Sequence, residues 1–305
     1  MYQFLIGTNF PFMRHRRYAY LFSGALTLAT VVWLVVNGGP RYSVDFTGGT
    51  LLQIRTSQVV PADQIRHALE SAGFKGVELQ QMAGEFRNEY MLRMKSIAES
   101  DPFPAIQAAI QKQAPEVTVE LRRTETVGPK VGSELRGKAI WAVLGSLAGI
   151  LLYVGIRYQF KFALGAIVAI FHDVFVTFGV LCFANREISL TVVAALLTIA
   201  GFSINDTIVV FDRIRERSKA LRKEKHSRVM DIAVNETLSR TVITSLTVFM
   251  TALALFIWGG EVLRDFSLAM LVGVGFGTYS SVYVASGLAL DVWLGIDRRK
   301  GIPTD

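Results

Sequence analysis

Apolar residues gather into six runs along the 305-residue chain, at 18–36, 139–156, 162–184, 188–211, 241–258 and 266–290. Each has roughly the 17–25 residues that a helix needs to cross about 30 Å of hydrocarbon. Backbone amides find no water there, so each run is expected to be a helix that satisfies its own hydrogen bonds. The first run follows Arg14-His15-Arg16-Arg17, a basic start like that of a signal peptide. It is longer than the roughly 7–15 residues of a secretory apolar region, and no Ala-x-Ala site follows it. An uncleaved anchor is the expectation.

Between the first two runs the pattern changes period. The stretches TLLQIRT, GVELQQM, EYMLRMKS and EVTVELRRTETV alternate as strands do, with a turn expected at Gly84. PADQIRHALESAGF, with Gly73 near its end, and PFPAIQAAIQKQ read as helices. The order β-α-β-β-α-β fits a small ferredoxin-like α+β domain. VDFTGGT at 44–50 reads as the turn entering the first strand, since it lacks the Lys-Ser/Thr of a phosphate loop. Gly128-Pro129 ends the last strand, and KVGSELRGK reads as a short amphipathic approach to the second span. The expected fold is therefore an all-α bundle of six transmembrane helices with a small α+β domain. Its parts are an N-terminal segment at 1–17, the domain and linker at 37–138, a loop at 212–240 and a tail at 291–305.

Composition agrees: 51% of residues are hydrophobic and 19% charged, against about 25% charged in soluble proteins. A net charge of +7 could suit nucleic acid, but the basic residues sit beside the apolar runs, as membrane orientation demands. They mark the N-terminus, the 2–3 turn (Arg157, Lys161), the 4–5 loop (Arg213 through Arg228) and the tail (Arg298, Arg299, Lys300). Alternation then places both termini in the cytoplasm and 37–138 in the periplasm. The lone Cys182 excludes an internal disulfide, and the four histidines show no ligand spacing, so neither metal nor cofactor is expected. There is no nucleophile elbow and no metalloprotease helix, so an enzyme is not expected. One large external segment followed by five closely spaced spans has the layout of half a transporter built from repeats. The other half would come from a partner chain.

Polar residues inside the spans are the candidate chemistry. Asp206 lies within the fourth run, and an ionised carboxylate there costs about 2.5–3.5 kcal/mol on insertion scales, so such residues face the bundle interior. Ser203 shares its helix face one turn away, and Asn205 adjoins it. Arg240 opens the fifth run within reach of Asp206, as a counterion or as a positive-inside anchor. That run also carries Thr241, Thr244, Ser245, Thr247 and Thr251, able to bond neighbouring helices or to line a hydrated file. His172-Asp173 sits near the middle of the third run, where a histidine can relay protons. Proton handling by Asp206, Arg240, His172 and Asp173, supported by Ser203, Asn205, Thr244 and Ser245, competes with a structural reading in which the buried acid only joins helices. Asp212 and the charges after it read as a solvated helix end. Gly145, Gly149, Gly273, Gly275 and Gly277 permit close helix packing.

VDFTGGT, VGPKVGSELRGKA (127–139), the His172-Asp173 pair, GFSINDTIVVFDRIRE and LSRTVITS occur in this order along residues 10–295 and resemble the SecF family. The resemblance implies the smaller membrane subunit of a resistance-nodulation-division type pump, paired with SecD beside the SecYEG channel, with YajC as a further partner. It implies that proton flow helps pull preprotein across the cytoplasmic membrane, with Asp206 and Arg240 matching the family's functional acid and arginine. The family's other proton-carrying aspartate lies in SecD and has no copy here. FPFMRHRR departs from the family's acidic-Phe-Met pattern near the N-terminus. The alternative is a half-transporter of the same type for lipid or small molecules. The external domain argues against it, since some 90 residues leave little room for a pocket of about 300–1,000 Å3.

Overall fold

The computed structural model describes residues 7–74, 76–82, 87–94, 101–158 and 160–299. The expected turn at Gly84, the end of the EYMLRMKS strand and Lys300 lie outside them. The chain divides into two compact units, one of residues 1–41 with 141–305 and one of residues 42–140.

The smaller unit opens with the one-turn helix α2 (Val44–Thr47) and continues β1 (Gly49–Thr56), α3 (Ala62–Ser71), β2 (Glu78–Gln81), β3 (Glu89–Met94), α4 (Phe103–Gln113) and β4 (Val119–Val127). All pairings are antiparallel, in the order β2-β3-β1-β4, which is the expected α+β arrangement. Leu52, Ile54, Leu92 and Tyr90 on the sheet pack with Ile65, Leu69, Ile106 and Ile110 of the helices. Tyr90 keeps its polar end satisfied by donating to the Val60 carbonyl at 2.5 Å and accepting from the Val60 amide at 2.8 Å. Gln53 and Arg55 of β1 both bond Glu89 of β3.

VDFTGGT is more than a turn. Val44–Thr47 is helical, with the Ser43 hydroxyl accepting from the Asp45 amide at 3.2 Å. Gly48 then takes φ 70°, and a Cβ there would stand 2.8 Å from the Pro129 backbone. Left-handed φ and the close backbone both require glycine.

The larger unit holds α1 (Phe12–Val36), most of α5 (Pro129–Arg157), α6 (Phe160–Phe183), α7 (Leu190–Ala220), α8 (His226–Trp258), α9 (Gly260–Ser280), a π-helical segment (Ser281–Ala285) and α10 (Ser286–Arg299). Among the described residues, six helices or helical runs are long and apolar enough to cross a membrane. They outrun the expected spans. KVGSELRGK belongs to α5, which begins at Pro129, a residue suited to the first helical position. α7 and α8 reach well past 211 and before 241, leaving only 221–225 between them. Charge pairs sustain this extension: Glu236 of α8 bonds Arg213 and Arg217 of α7, each at 2.7 Å.

Burial divides the spans. The apolar windows of α6, of α7 and of the α9–α10 run are 56%, 50% and 56% buried, while those of α1, α5 and α8 are 17%, 6% and 17%. The first three form the centre. The start of α1 is tied to α8, where Asp231 accepts from the Met13 amide at 2.9 Å and so caps it from another helix. Asn235 bonds both the amide and the carbonyl of Phe10, each at 2.9 Å. An acid on a different helix thus serves the N-terminal segment.

Candidate functional site

Ser189 caps α7, its hydroxyl accepting from the Val192 amide at 3.2 Å, and the helix runs unbroken through Asp206. A carboxylate in mid-helix cannot reach solvent through its own backbone, so its partners must come from neighbouring helices. Asp206 is 5% exposed. Its Oδ1 accepts from Thr241 Oγ1 of α8 at 2.8 Å, and its Oδ2 accepts from Ser281 Oγ at 2.7 Å. Ser281 is the first residue of the π-helical segment, and its carbonyl accepts from Ser286 Oγ at 2.9 Å. Such a widened turn inside a helix re-aims side chains and recurs at functional sites.

A second acid lies beside the first. Asp173 of α6 is fully buried. Its Oδ2 accepts from Ser203 Oγ of α7 and Ser280 Oγ of α9, each at 2.5 Å. Its Oδ1 lies 2.9 Å from His172 Nδ1. Consecutive serines therefore serve different acids, Ser280 on Asp173 and Ser281 on Asp206. Each hydroxyl also has its own helix within range: Ser280 the Gly277 carbonyl at 3.2 Å and Ser281 the Thr278 carbonyl at 3.0 Å. One hydrogen cannot serve both acceptors fully, so each serine has two settings. A third link joins Thr278 Oγ1 to Ser245 Oγ at 2.6 Å. His172 Nε2, Thr177 Oγ1 and Thr207 Oγ1 are buried with no hydrogen-bond partner among the described residues. They adjoin the acids, Thr177 one turn beyond Asp173 and Thr207 next to Asp206.

The layer brings together Asp206, Asp173, His172, Ser203 and Ser245. Ser203 lies on the Asp206 face as expected, but it bonds Asp173. The remaining expected residues fall outside. Arg240 is exposed and makes no ion pair with Asp206 among the described residues. The direct contacts to Asp206 come from the two hydroxyls, while Arg240 acts on it electrostatically without an ion-pair contact. The reason is helical: Arg240 and Thr241 point about 100° apart, and Thr241 takes the inward direction. Asn205 is exposed for the same reason. Thr244 is exposed and donates to the Arg240 carbonyl at 2.9 Å. Thr278, Ser280 and Ser281 join the site beyond the expected residues; their one sequence signal is the run Thr278-Tyr279-Ser280-Ser281, four hydroxyls within an apolar span.

Residues 106–294 match the family model described as protein export membrane protein SecD/SecF, C-terminal, and residues 32–58 match that of the SecD/SecF GG motif. The chain is 41% identical over 295 residues to protein translocase subunit SecF of Vibrio alginolyticus, covering 96% of this chain and 92% of the relative. To SecF of Escherichia coli O157:H7 it is 39% identical over 293 residues, covering 95% and 89%. Among solved structures it is similar to SecDF, a translocon-associated membrane protein from Thermus thermophilus, with a TM-score of 0.86 and 39% identity. That match covers 96% of this chain and 40% of the SecDF chain, so this chain spans less than half of SecDF. On these matches the chain belongs to the SecF family of protein translocase subunits, within the SecD/SecF protein-export membrane proteins.

Proposed function

We propose that this chain acts as one half of a SecD–SecF pair, beside a SecYEG channel, and that proton movement through its buried acids helps draw preprotein across the cytoplasmic membrane. In this reading both termini are cytoplasmic and the α+β domain faces the periplasm. The carrying observation is Asp206, held between Thr241 of α8 and Ser281 of the π-helical segment, with Arg240 acting on it electrostatically and no cation in ion-pair contact among the described residues. An acid so placed changes the charge of the bundle centre whenever it gains or loses a proton. The serines supply the response. A carboxylate accepts from Ser281, whereas a protonated carboxyl can itself donate, which releases the Ser281 hydrogen to the Thr278 carbonyl. Ser280 offers the same exchange to Asp173, and the two serines are neighbours where α9 passes into the π-helical segment. Arg240, adjacent to Thr241 on α8, would approach Asp206 after a modest rotation of that helix and stabilise the ionised form.

Each charge carried through 100 mV releases about 2.3 kcal/mol. That biases a two-state tilt of helices but falls short of the roughly 5.5 kcal/mol needed for near-complete switching. A pH difference or further protons supply the remainder.

The test is Asp206→Asn, produced with SecD at wild-type levels. Membrane insertion and association with SecD should persist, while proton-dependent export in membrane vesicles is lost. Export at the wild-type rate would remove Asp206 from the mechanism.

A further inference from the structure

Where α5 ends and α6 begins, a cavity of about 220 Å3 is lined by Ile156, Arg157, Tyr158, Phe162 and Arg215. Tyr158 and Phe162 form its aromatic floor, backed by Phe211, which is buried behind them. The Phe162 and Phe211 rings lie 5.1 Å apart, and Tyr158 meets Phe211 at 6.1 Å. Its rim is cationic, with the Arg157 guanidinium 5.7 Å from the Tyr158 ring centroid. A groove of about 570 Å3 shares Arg215 and adds Lys219.

The carboxylates nearby are already engaged. Asp212 accepts from the Tyr158 hydroxyl at 3.1 Å and stands 3.9 Å from Arg157. Glu216 bonds Arg213 at 2.6 Å, and Glu236 bonds Arg213 and Arg217. Arg215 and Lys219 are exposed, one turn apart on the same helix face, and no acid among the described residues pairs with either. The site also lies where α7 turns from apolar to charged, after Phe211, which is where a span leaves hydrocarbon.

We propose that this cavity holds the phosphate headgroup of an anionic membrane phospholipid, with Arg157 and Arg215 on the phosphate. Guanidinium groups match phosphate oxygens in pairs, and basic pockets between spans are suited to anionic headgroups. The volume admits a phosphate with its glycerol, while the aromatic floor meets the start of the acyl chains. A free phosphate would use the rim and gain nothing from the floor, so the lipid is the occupant assigned. Arg215 lies nine residues after Asp206 on one continuous helix, about 13 Å along its axis. Occupancy would brace the end of the helix that carries the acid.

The experiment is native mass spectrometry of the full chain in nonionic detergent, titrated with phosphatidylglycerol or phosphatidylcholine. Wild type should retain phosphatidylglycerol preferentially, and R157Q and R215Q should each weaken its binding about fivefold, leaving phosphatidylcholine unchanged. A variant with R222Q and K223Q, which removes two exposed charges outside the cavity, should bind as wild type. Equal loss in that variant would show diffuse attraction and overturn the site. Wild-type binding by R215Q would do so too, as would displacement of the lipid by millimolar glycerol 3-phosphate, which would mean that phosphate alone is read. R215Q should also keep the wild-type thermal transition in lipid-free detergent; a lowered transition would make Arg215 structural and sink the assignment.

Discussion

Ser281 is a single hydroxyl on which the ionised state of a buried acid depends. A hydrogen bond to a charged group is worth roughly 1.5–3 kcal/mol, and here it is one of only two made to Asp206 among the described residues. Ser281→Ala should therefore slow proton-dependent export roughly tenfold, measured as precursor protected from protease in membrane vesicles at matched protein levels. Asn205→Ala and Thr244→Ala remove exposed groups and should leave the rate within about twofold. Loss of export in those two with normal export in Ser281→Ala would reverse the assignment of the layer. The acids were legible in the sequence because a carboxylate inside an apolar run conflicts with its surroundings. Ser203 and Ser245 were too, but Ser280 and Ser281 were not, because a hydroxyl in a span usually bonds its own helix, as Thr27, Thr30 and Ser267 do here. Only the register of three packed helices shows which hydroxyls turn toward an acid. The same register places Arg240: one step of helical rotation gives the inward contact to Thr241, and Arg240 acts on Asp206 electrostatically from beside it.

At the scale of the element, hydropathy gave the number of spans and left their ends open. Runs were ended where charge began, yet α7 continues to Ala220 because Arg213 and Arg217 find Glu236 on α8. α8 in turn begins at His226, whose Nε2 lies 2.7 Å from Asp297 of α10. These pairs are long-range, and no local period announces them. The π-helical segment was equally silent in sequence, yet α6 is shaped to meet it. A Cβ at Gly165 would stand 2.5 Å from the Ala285 carbonyl oxygen, a backbone atom that cannot swing aside. Gly165→Ala should destabilise the bundle by about 1–3 kcal/mol, seen as a lower melting temperature in detergent. Gly145→Ala, where a Cβ meets nothing within 4 Å in this chain, should leave the melting temperature unchanged. Of the glycines expected to allow close packing, Gly273 meets the Ile199 side chain, whereas Gly145, Gly149 and Gly275 face open space within the chain.

Two bodies with different solvents make up the whole molecule, and the change in period of the apolar pattern at residue 37 made both visible. The α+β unit has its own core around Leu52, Ile54 and Tyr90, all fully buried. A fragment of residues 42–128 should fold in water with a cooperative denaturant transition, and Leu52→Ala should cost it about 2–5 kcal/mol; a fragment without cooperative unfolding would refute its independence. The membrane unit stands differently. Its three central spans are about half buried, while α1, α5 and α8 leave most of their apolar surface uncovered within the chain. The polar layer is also local: it joins α6, α7, α8 and the α9–α10 run near two acids, and it offers hydroxyl exchange there. A proton delivered to Asp206 needs an onward acceptor, which the proposed pairing locates in SecD. Vesicles containing this chain alone should therefore hold an imposed pH gradient as protein-free vesicles do, measured with an internal pH dye. Vesicles containing it with SecD should dissipate the gradient faster, and Asp206→Asn in the pair should restore the slow rate. Rapid dissipation by the chain alone would mean that its own two acids complete the path, and the division of labour between two halves would fail.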